Sequence, residues 1–105
     1  MNAKNEFLDH IKDRTVICAE INIGGDGYPK DECKTLLLKK GFNSKDWEEF
    51  LIKLDFEYSN EMAWSSISLT GTIWYSDATW SARDAWNGNE WWNYMSTPKI
   101  PEFLE

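Results

Sequence analysis

The chain contains 105 residues, with 18 Asp and Glu against 11 Lys and Arg, which gives a formal net charge of −7. This length predicts a single domain over residues 1–105, and a 42% apolar fraction with 15% aromatic residues argues against intrinsic disorder. No stretch approaches the roughly 20 apolar residues of a membrane helix, and the N-terminus lacks the apolar region of a secretory signal. We therefore expect a cytoplasmic protein without a membrane contact.

The charge distribution and the cysteine content exclude several classes of function. Lys39 and Lys40 are the only adjacent basic residues, so direct binding to nucleic-acid phosphates is not expected. An acidic surface instead favours basic protein partners. Cys18 and Cys33 are too few for a disulfide framework and too far apart for a metal or redox motif. We interpret them as buried, reduced thiols.

Two amphipathic helices are predicted. The first is capped by Asn2 and runs to about Lys12. Its apolar face is formed by Phe7, Leu8 and Ile11. The second is capped by Asn43 or Ser44, and the acidic residues of its first turn suit the positive end of the helix dipole. Its buried stripe contains Trp47, Phe50, Leu51 and Leu54.

Alternation of polar and apolar residues predicts the strands. The predicted strands cover 15–23, 33–40, 67–75, 79–85 and 90–95, with a short extended piece over 56–58 and an extended tail over 98–105. Glycines within 24–29 and the Asn87-Gly88 pair supply hairpin turns. The first hairpin is expected to place Cys18 and Cys33 nearly opposite each other on the two paired strands. The element order predicts an α+β fold, with an antiparallel sheet of about four to five strands packed with two helices.

The same alternation assigns side chains to the two faces of the sheet. In the first strand it places Ile17 on the buried face and Val16 on the opposite face. In the third strand it places Trp74 opposite the apolar face. Trp91 and Trp92 are adjacent and must therefore point to opposite faces, so one of them is predicted to be exposed.

No group of residues matches a known catalytic or metal-binding pattern. His10 is the only histidine, so the chain has neither a His pair for zinc nor a His-centred catalytic set, and we interpret it as a surface residue. The GGDG stretch lacks the lysine of a phosphate-binding loop and the spacing of a calcium loop. We predict no enzymatic activity, metal or cofactor. A hydrolase that uses Asp77, Asp84 and Glu90 is the catalytic alternative.

Aromatic residues are most concentrated between residues 74 and 94, where five tryptophans and two tyrosines occur in 21 residues. Strand alternation cannot turn all of these rings into one core. One interpretation is a second small core closed by the rings. The other is a partner surface, because exposed Trp and Tyr dominate binding hot spots. The predicted partner-binding residues are Trp74, Asp77, Asp84, Trp86, Glu90 and Trp91.

Residues 71–92, GTIWYSDATWSARDAWNGNEWW, and the PKIP of 98–101 resemble a C-terminal signature of small phage-encoded accessory proteins. That signature contains GTIW, an aspartate-rich turn, TW, a DG or NG turn, EWW and P-x-I-P. The FEY of 56–58 and the EFL of 6–8 also fit it. The chain departs from the signature at Ala78, where a turn glycine is expected, and at residues 85–87. These changes weaken the argument for a catalytic carboxylate there.

The resemblance implies a phage or prophage protein that acts in the bacterial host cytoplasm. Such proteins often bind and inhibit a host defence complex, as anti-CRISPR or anti-restriction proteins do. The expected partner is therefore a host defence protein with a basic surface, bound by non-catalytic protein–protein contact. The alternative from the residues is a carbohydrate or small-ligand binding domain with stacking tryptophans. The sequence does not predict the oligomeric state.

Overall fold

A computed structural model describes residues 1–24, 33–58, 69–86, 89–97 and 100–104. Within these residues, two helices pack on one face of a five-stranded antiparallel sheet, which confirms the predicted α+β class. The helices are α1 (Ala3–Ile11) and α2 (Ser44–Leu54). The strands are β1 (Val16–Ile23), β2 (Lys34–Leu38), β3 (Leu69–Tyr75), β4 (Trp80–Trp86) and β5 (Asn89–Met95), paired in the order β2-β1-β3-β4-β5.

Side-chain caps fix the start of both helices. Asn2 accepts a hydrogen bond from the backbone N–H of Asn5 at 3.0 Å and begins α1. Asn43 accepts from the N–H of Asp46 at 2.8 Å, and the Asp46 carboxylate accepts from the N–H of Asn43 at 3.2 Å. This reciprocal pair satisfies two backbone donors that the helix leaves unbonded. It selects Asn43 rather than Ser44 as the cap of α2.

The core lies between the two helices and the sheet. Phe7 of α1 is fully buried at its centre, and its ring lies 5.9 Å from Trp47, 5.6 Å from Phe50 and 6.4 Å from Trp92. The predicted apolar face of each helix is therefore the buried one. The sheet contributes Val16, Ala19, Ile21, Leu36, Leu38, Leu69, Ile73 and Tyr75.

The segment that follows α2 pairs with the start of the chain. The backbone N–H of Ala3 donates to the carbonyl of Phe56, and that of Tyr58 donates to the carbonyl of Met1, both at 2.9 Å. The short extended piece predicted over 56–58 is thus confirmed. Its pairing brings the Tyr58 side chain against α1, where it is buried.

A bulge at the start of β1 corrects the predicted faces of two residues. Val16 pairs with Tyr75 and Cys18 pairs with Trp74, so β1 uses one more residue than β3 at this point. An extra residue reverses the alternation on one side of a bulge. Val16 is therefore buried while Ile17 is only half-buried.

The register of the β1–β2 hairpin overturns the expected proximity of the two cysteines. Ile23 pairs with Lys34 at one end of the hairpin, and Ala19 pairs with Leu38 at the other. Cys33 precedes Lys34 and Cys18 precedes Ala19, so the two thiols lie at opposite ends. The prediction of buried thiols is also wrong, since Cys18 is half-buried and Cys33 is exposed.

The end of the chain contains a 3-10 turn over Glu102–Leu104, closed by a hydrogen bond from the Leu104 N–H to the Pro101 carbonyl at 2.9 Å. The predicted extended tail is therefore wrong for these residues. The turn residues predicted over 25–29 and 87–88, and the strand start predicted at 67, lie outside the described residues. In the part of the chain that is described, no helix is long and apolar enough to cross a membrane.

Gly71 is expected to be required for the pairing of β1 with β3. Its φ is +151°, and a Cβ at this position would lie 2.3 Å from the carbonyl oxygen of Glu20 and 3.0 Å from the Cα of Ile21. Because both neighbours are backbone atoms, Gly71→Ala should lower the free energy of unfolding by at least about 3 kcal/mol. Urea denaturation followed by tryptophan fluorescence measures this change.

Gly41→Ala is the matched control for this prediction. Gly41 also has a positive φ, +88°, but a Cβ there would meet nothing within 4 Å. Gly41→Ala should therefore lower the free energy of unfolding by only about 1 to 2 kcal/mol, which is the contribution of backbone strain alone. Equal losses in the two variants would contradict the role given to the close approach of β1 and β3.

Candidate functional site

The helices cover one face of the sheet, and the opposite face carries no helix in the described part of the chain; we call it the open face. Strand alternation and register place on it the residues between those that face the core. From β1 and β3 these are Cys18, Glu20, Asn22, Thr70, Thr72 and Trp74, and from β4 and β5 they are Trp80, Ala82, Asp84, Trp86, Asn89, Trp91, Asn93 and Met95.

An apolar row crosses the open face. Cys18, Trp74, Trp80 and Met95 are paired in register across four neighbouring strands. Trp74 is 43% exposed and Met95 42% exposed, whereas Trp80 is half-buried. The row therefore presents Trp74 and Met95 to solvent beside the partly exposed Trp80, and large apolar side chains of this kind form the centre of protein interfaces. The position of Trp80 was missed from the sequence, although the short turn between β3 and β4 pairs it directly with Trp74.

Asp84, Trp91 and Asn93 form a second group on the open face, which we call the acidic corner. Asp84 pairs in register with Trp91. The Nδ2 of Asn93 donates to Asp84 Oδ2 at 3.0 Å, and the Nε1 of Trp91 donates to Asn93 Oδ1 at 3.0 Å. One amide thus orients both the carboxylate and the indole. Asp84 is exposed and Trp91 is half-buried.

Trp86 and Asp77 lie at the margins of the sheet. Trp86 ends β4 on the open face, two residues from Asp84, and is 72% exposed. Asp77 lies in the β3–β4 turn, where its carboxylate accepts hydrogen bonds from the hydroxyl and the N–H of Thr79. These hydrogen bonds, led by that of the hydroxyl, lower the pKa of Asp77. The next residue, Ala78, has a φ of +66°, a conformation that glycine adopts more readily than alanine.

Glu90 lies on the other side of the sheet from these residues. It is only 4% exposed and faces the helices. Its Oε1 accepts from Arg83 Nη2 at 2.7 Å and from the backbone N–H of Leu69 at 2.9 Å. The structure therefore brings together Trp74, Asp84, Trp86 and Trp91 on one face, and it does not bring Glu90 to that face.

Arg83 is the centre of a buried polar cluster that sequence reasoning missed. Its Nη1 lies 2.8 Å from Glu6 Oε1 and its Nη2 lies 2.7 Å from Glu90 Oε1, with all three side chains largely buried. The Tyr58 hydroxyl donates to Glu6, and burial followed by this hydrogen bond raises the pKa of Tyr58 to about 12. The guanidinium carbon also lies 5.2 Å from the ring of Trp92. The available signal was the period-two alternation of β4, which turns Arg83 to the face opposite Asp84.

His10 is half-buried, rather than a fully exposed surface residue, and it belongs to a second polar group. Its Nε2 lies 2.7 Å from the Ser81 hydroxyl, which lies 2.7 Å from the Tyr75 hydroxyl. Ser81 is fully buried. Burial, followed by the positive charge of Arg14 and then those of Arg83 and Lys12, lowers the pKa of His10 below its ordinary value of 6.5. The neutral imidazole is therefore the form that the fold favours.

The arrangement limits what these residues can do chemically. Ser81 lies beside His10, but its full burial keeps the hydroxyl away from solvent and from a substrate. Asp77, Asp84 and Glu90 lie in a turn, on the open face and in the core, so they do not form the facing carboxylate pair of a glycosidase. Among the residues described, no group of three or more His, Cys, Asp or Glu is placed to hold a metal ion.

Two cavities of the described chain lie away from the open face. One, of about 420 Å³, lies between the end of α1 and the start of α2 and is lined in part by Arg14, Phe42 and Trp47. The other, of about 220 Å³, lies between β2 and α2. Neither cavity is lined by a tryptophan of the open face, so these rings are placed for contact with another macromolecule rather than for enclosing a small ligand in either cavity.

Comparisons of the chain with protein-family models, with curated proteins and with solved structures found no match. The interpretation of the open face therefore depends on its own geometry and on the chemistry of its residues.

Replacing Arg83 by methionine should strongly destabilise the fold. The substitution keeps a long apolar side chain but leaves the carboxylates of Glu6 and Glu90 buried without their cation, a change that typically costs about 3 to 5 kcal/mol. Lys4→Met is the control, because the Lys4–Asp55 ion pair is partly exposed, with its charged atoms 3.4 Å apart, and solvent screening should keep its contribution to stability small. Urea denaturation of both variants compares the losses, and similar small losses would show that the cluster does not stabilise the fold.

The lowered pKa of His10 predicts a loss of stability in mild acid. Below pH 6.5 the unfolded chain takes up a proton at this residue more readily than the folded chain, so the free energy of unfolding falls until the folded pKa is reached. The wild type should therefore lose more stability between about pH 7.5 and about pH 5.5 than His10→Gln, which can still hydrogen bond to Ser81. The two urea midpoints at each pH give this difference. A difference of zero would contradict the prediction.

Proposed function

We propose that this protein is a non-catalytic inhibitor that uses the open face to bind a basic surface of a bacterial host defence complex. The observation that carries the proposal is the open face itself. There, exposed Trp74 and half-buried Trp91 lie on the same surface as exposed Asp84. Aromatic anchors with nearby carboxylates suit a partner surface that is apolar at its centre and positively charged around it.

The charge of the open face supports a basic partner. Glu20 and Asp84 are its charged residues among the described residues of the strands, and no Lys or Arg of these strands lies on it. The whole chain has a formal net charge of −7, which accelerates encounter with a positively charged surface and slows encounter with an acidic one. Surfaces that bind DNA or RNA are positively charged, so a defence complex that acts on nucleic acids presents a suitable target.

The choice of a defence complex comes from the resemblance of residues 71–92 and 98–101 to small phage-encoded accessory proteins. Much of that segment forms β3, β4 and β5, the strands that carry Trp74, Asp84, Trp86 and Trp91. The residues of the resemblance and the residues of the candidate surface are therefore largely the same part of the chain. Inhibition then follows from occupation of the target surface, without a chemical step.

Capture from a bacterial host lysate tests this proposal. Tagged wild type should recover a subunit of one defence complex at low salt, and recovery should fall at high salt because screening weakens long-range attraction. Trp74→Ala and Trp91→Ala should each reduce the recovery by about tenfold or more, as loss of an interface anchor does. Purified wild type should then block the nuclease activity of the recovered complex.

Ile52→Ala is the matched control. Ile52 is an apolar residue of α2 that is 73% exposed and lies on the helix side of the molecule, so its removal should leave recovery unchanged. Equal recovery by all variants, or recovery of no defence subunit, would contradict the proposal. Salt-independent binding to an oligosaccharide would instead support the carbohydrate alternative.

A further inference from the structure

Each face of the β4–β5 hairpin carries an indole ring close to a carboxylate. On the core face, Arg83 pairs in register with Trp92, its guanidinium carbon lies 5.2 Å from that ring, and its Nη2 lies 2.7 Å from the Glu90 carboxylate. On the open face, the next register pair is Asp84 with Trp91. In the core the carboxylate and the indole both belong to β5, whereas on the open face they lie opposite each other on adjacent strands.

The acidic corner holds these two groups in a fixed relation. Asp84 Oδ1 accepts from the backbone N–H of Ala85 at 2.8 Å, and its Oδ2 accepts from Asn93, which in turn accepts from the Trp91 indole. A carboxylate has about four acceptor positions, so these two donors leave room for two more hydrogen bonds. Because the side chains of Asp84 and Trp91 are already oriented, they lose little conformational entropy when a ligand binds.

A guanidinium matches this pair better than an ammonium does. It is planar and weakly hydrated, so it can stack on an indole while its N–H groups donate to a carboxylate. Arg83 makes both contacts in the core, with Trp92 and with Glu90, and the Arg14 guanidinium carbon lies 3.9 Å from the centroid of the Tyr94 ring. A lysine ammonium is compact and strongly hydrated, and it can make the charge contact without the planar stacking.

We propose that the acidic corner binds an arginine side chain of the partner protein, with the guanidinium stacked on Trp91 and hydrogen bonded to Asp84. This inference rests on the proposed function, because it names the group by which the partner is recognised. The apolar row of Trp74 and Trp80 then contacts the apolar surface around that arginine. The partner is therefore distinguished by an exposed arginine beside apolar residues, and positive charge alone is not sufficient.

Peptide titrations followed by ¹H–¹⁵N NMR test this proposal on the full chain. The probes are capped peptides of alternating glycine and arginine, the same peptide with lysine, and the same peptide with citrulline, which keeps the planar shape without the charge. The arginine peptide should shift the indole N–H resonance of Trp91 and bind about fivefold more tightly than the lysine peptide. The citrulline peptide should bind about tenfold more weakly than the arginine peptide, because it lacks the charge that Asp84 recognises.

Asp84→Asn separates the acidic corner from the general acidity of the chain. This substitution should lower the affinity for the arginine peptide about fivefold. It should also remove most of the preference for the arginine peptide over the lysine peptide. Asp9→Asn makes the same change of charge on exposed α1 and should leave both affinities nearly unchanged. Equal affinity for arginine and lysine, or equal effects of the two variants, would overturn the inference.

The inference and the proposed function can fail separately. Tryptophan-dependent capture of a defence subunit without a preference for the arginine peptide would overturn the inference and leave the proposed function standing. Selective binding of the arginine peptide at Trp91 without capture of a defence subunit would support the inference and contradict the proposed target.

Discussion

The buried guanidinium of Arg83 joins parts of the chain that are far apart in sequence. It contacts Glu6 of α1 and Glu90 of β5, and Glu90 also accepts from the backbone of Leu69 in β3. A buried charge is tolerated only when its partners surround it. The helix must therefore dock where Glu6 reaches Arg83, and this position sets Phe7, the next residue, into the centre of the core. The packing of the apolar residues and the pairing of the charges thus require the same arrangement.

The same contact determines what the open face presents. Because neighbouring residues of a strand point to opposite faces, an inward Arg83 requires an outward Asp84, and an inward Trp92 requires an outward Trp91. A shift of one residue would turn Asp84 toward the core, where the helices offer Glu6 rather than a cation, and would expose Arg83. Correct pairing in the core therefore also places the acidic corner at the surface. The surface group and the buried cluster are two consequences of one register.

Local patterns predicted the elements of this fold, and interactions between distant segments decided the rest. Asn2, Asn43 and the alternation around Trp74 act within a few residues, so the helix starts and the outward direction of Trp74 could be predicted. The bulge beside Val16 depends on the partner strand, and the separation of Cys18 from Cys33 depends on the register of the hairpin. Glu90 was assigned to the surface because carboxylates are usually solvated. Its burial requires Arg83, and no local pattern reveals which acidic residue a distant strand will bury.

The ion pair between Glu6 and Arg83 spans 77 positions of the chain, which has a consequence for the order of folding. During synthesis α1 leaves the ribosome well before β4, the strand that carries its partner. Local contacts can form the β4–β5 hairpin alone, whereas closing a loop of this length is a slow step. Until α1 docks, the Trp92 side of the hairpin is open to water and to other chains, a state that favours aggregation. The nascent chain thus completes its core only after β4 and β5 have been made.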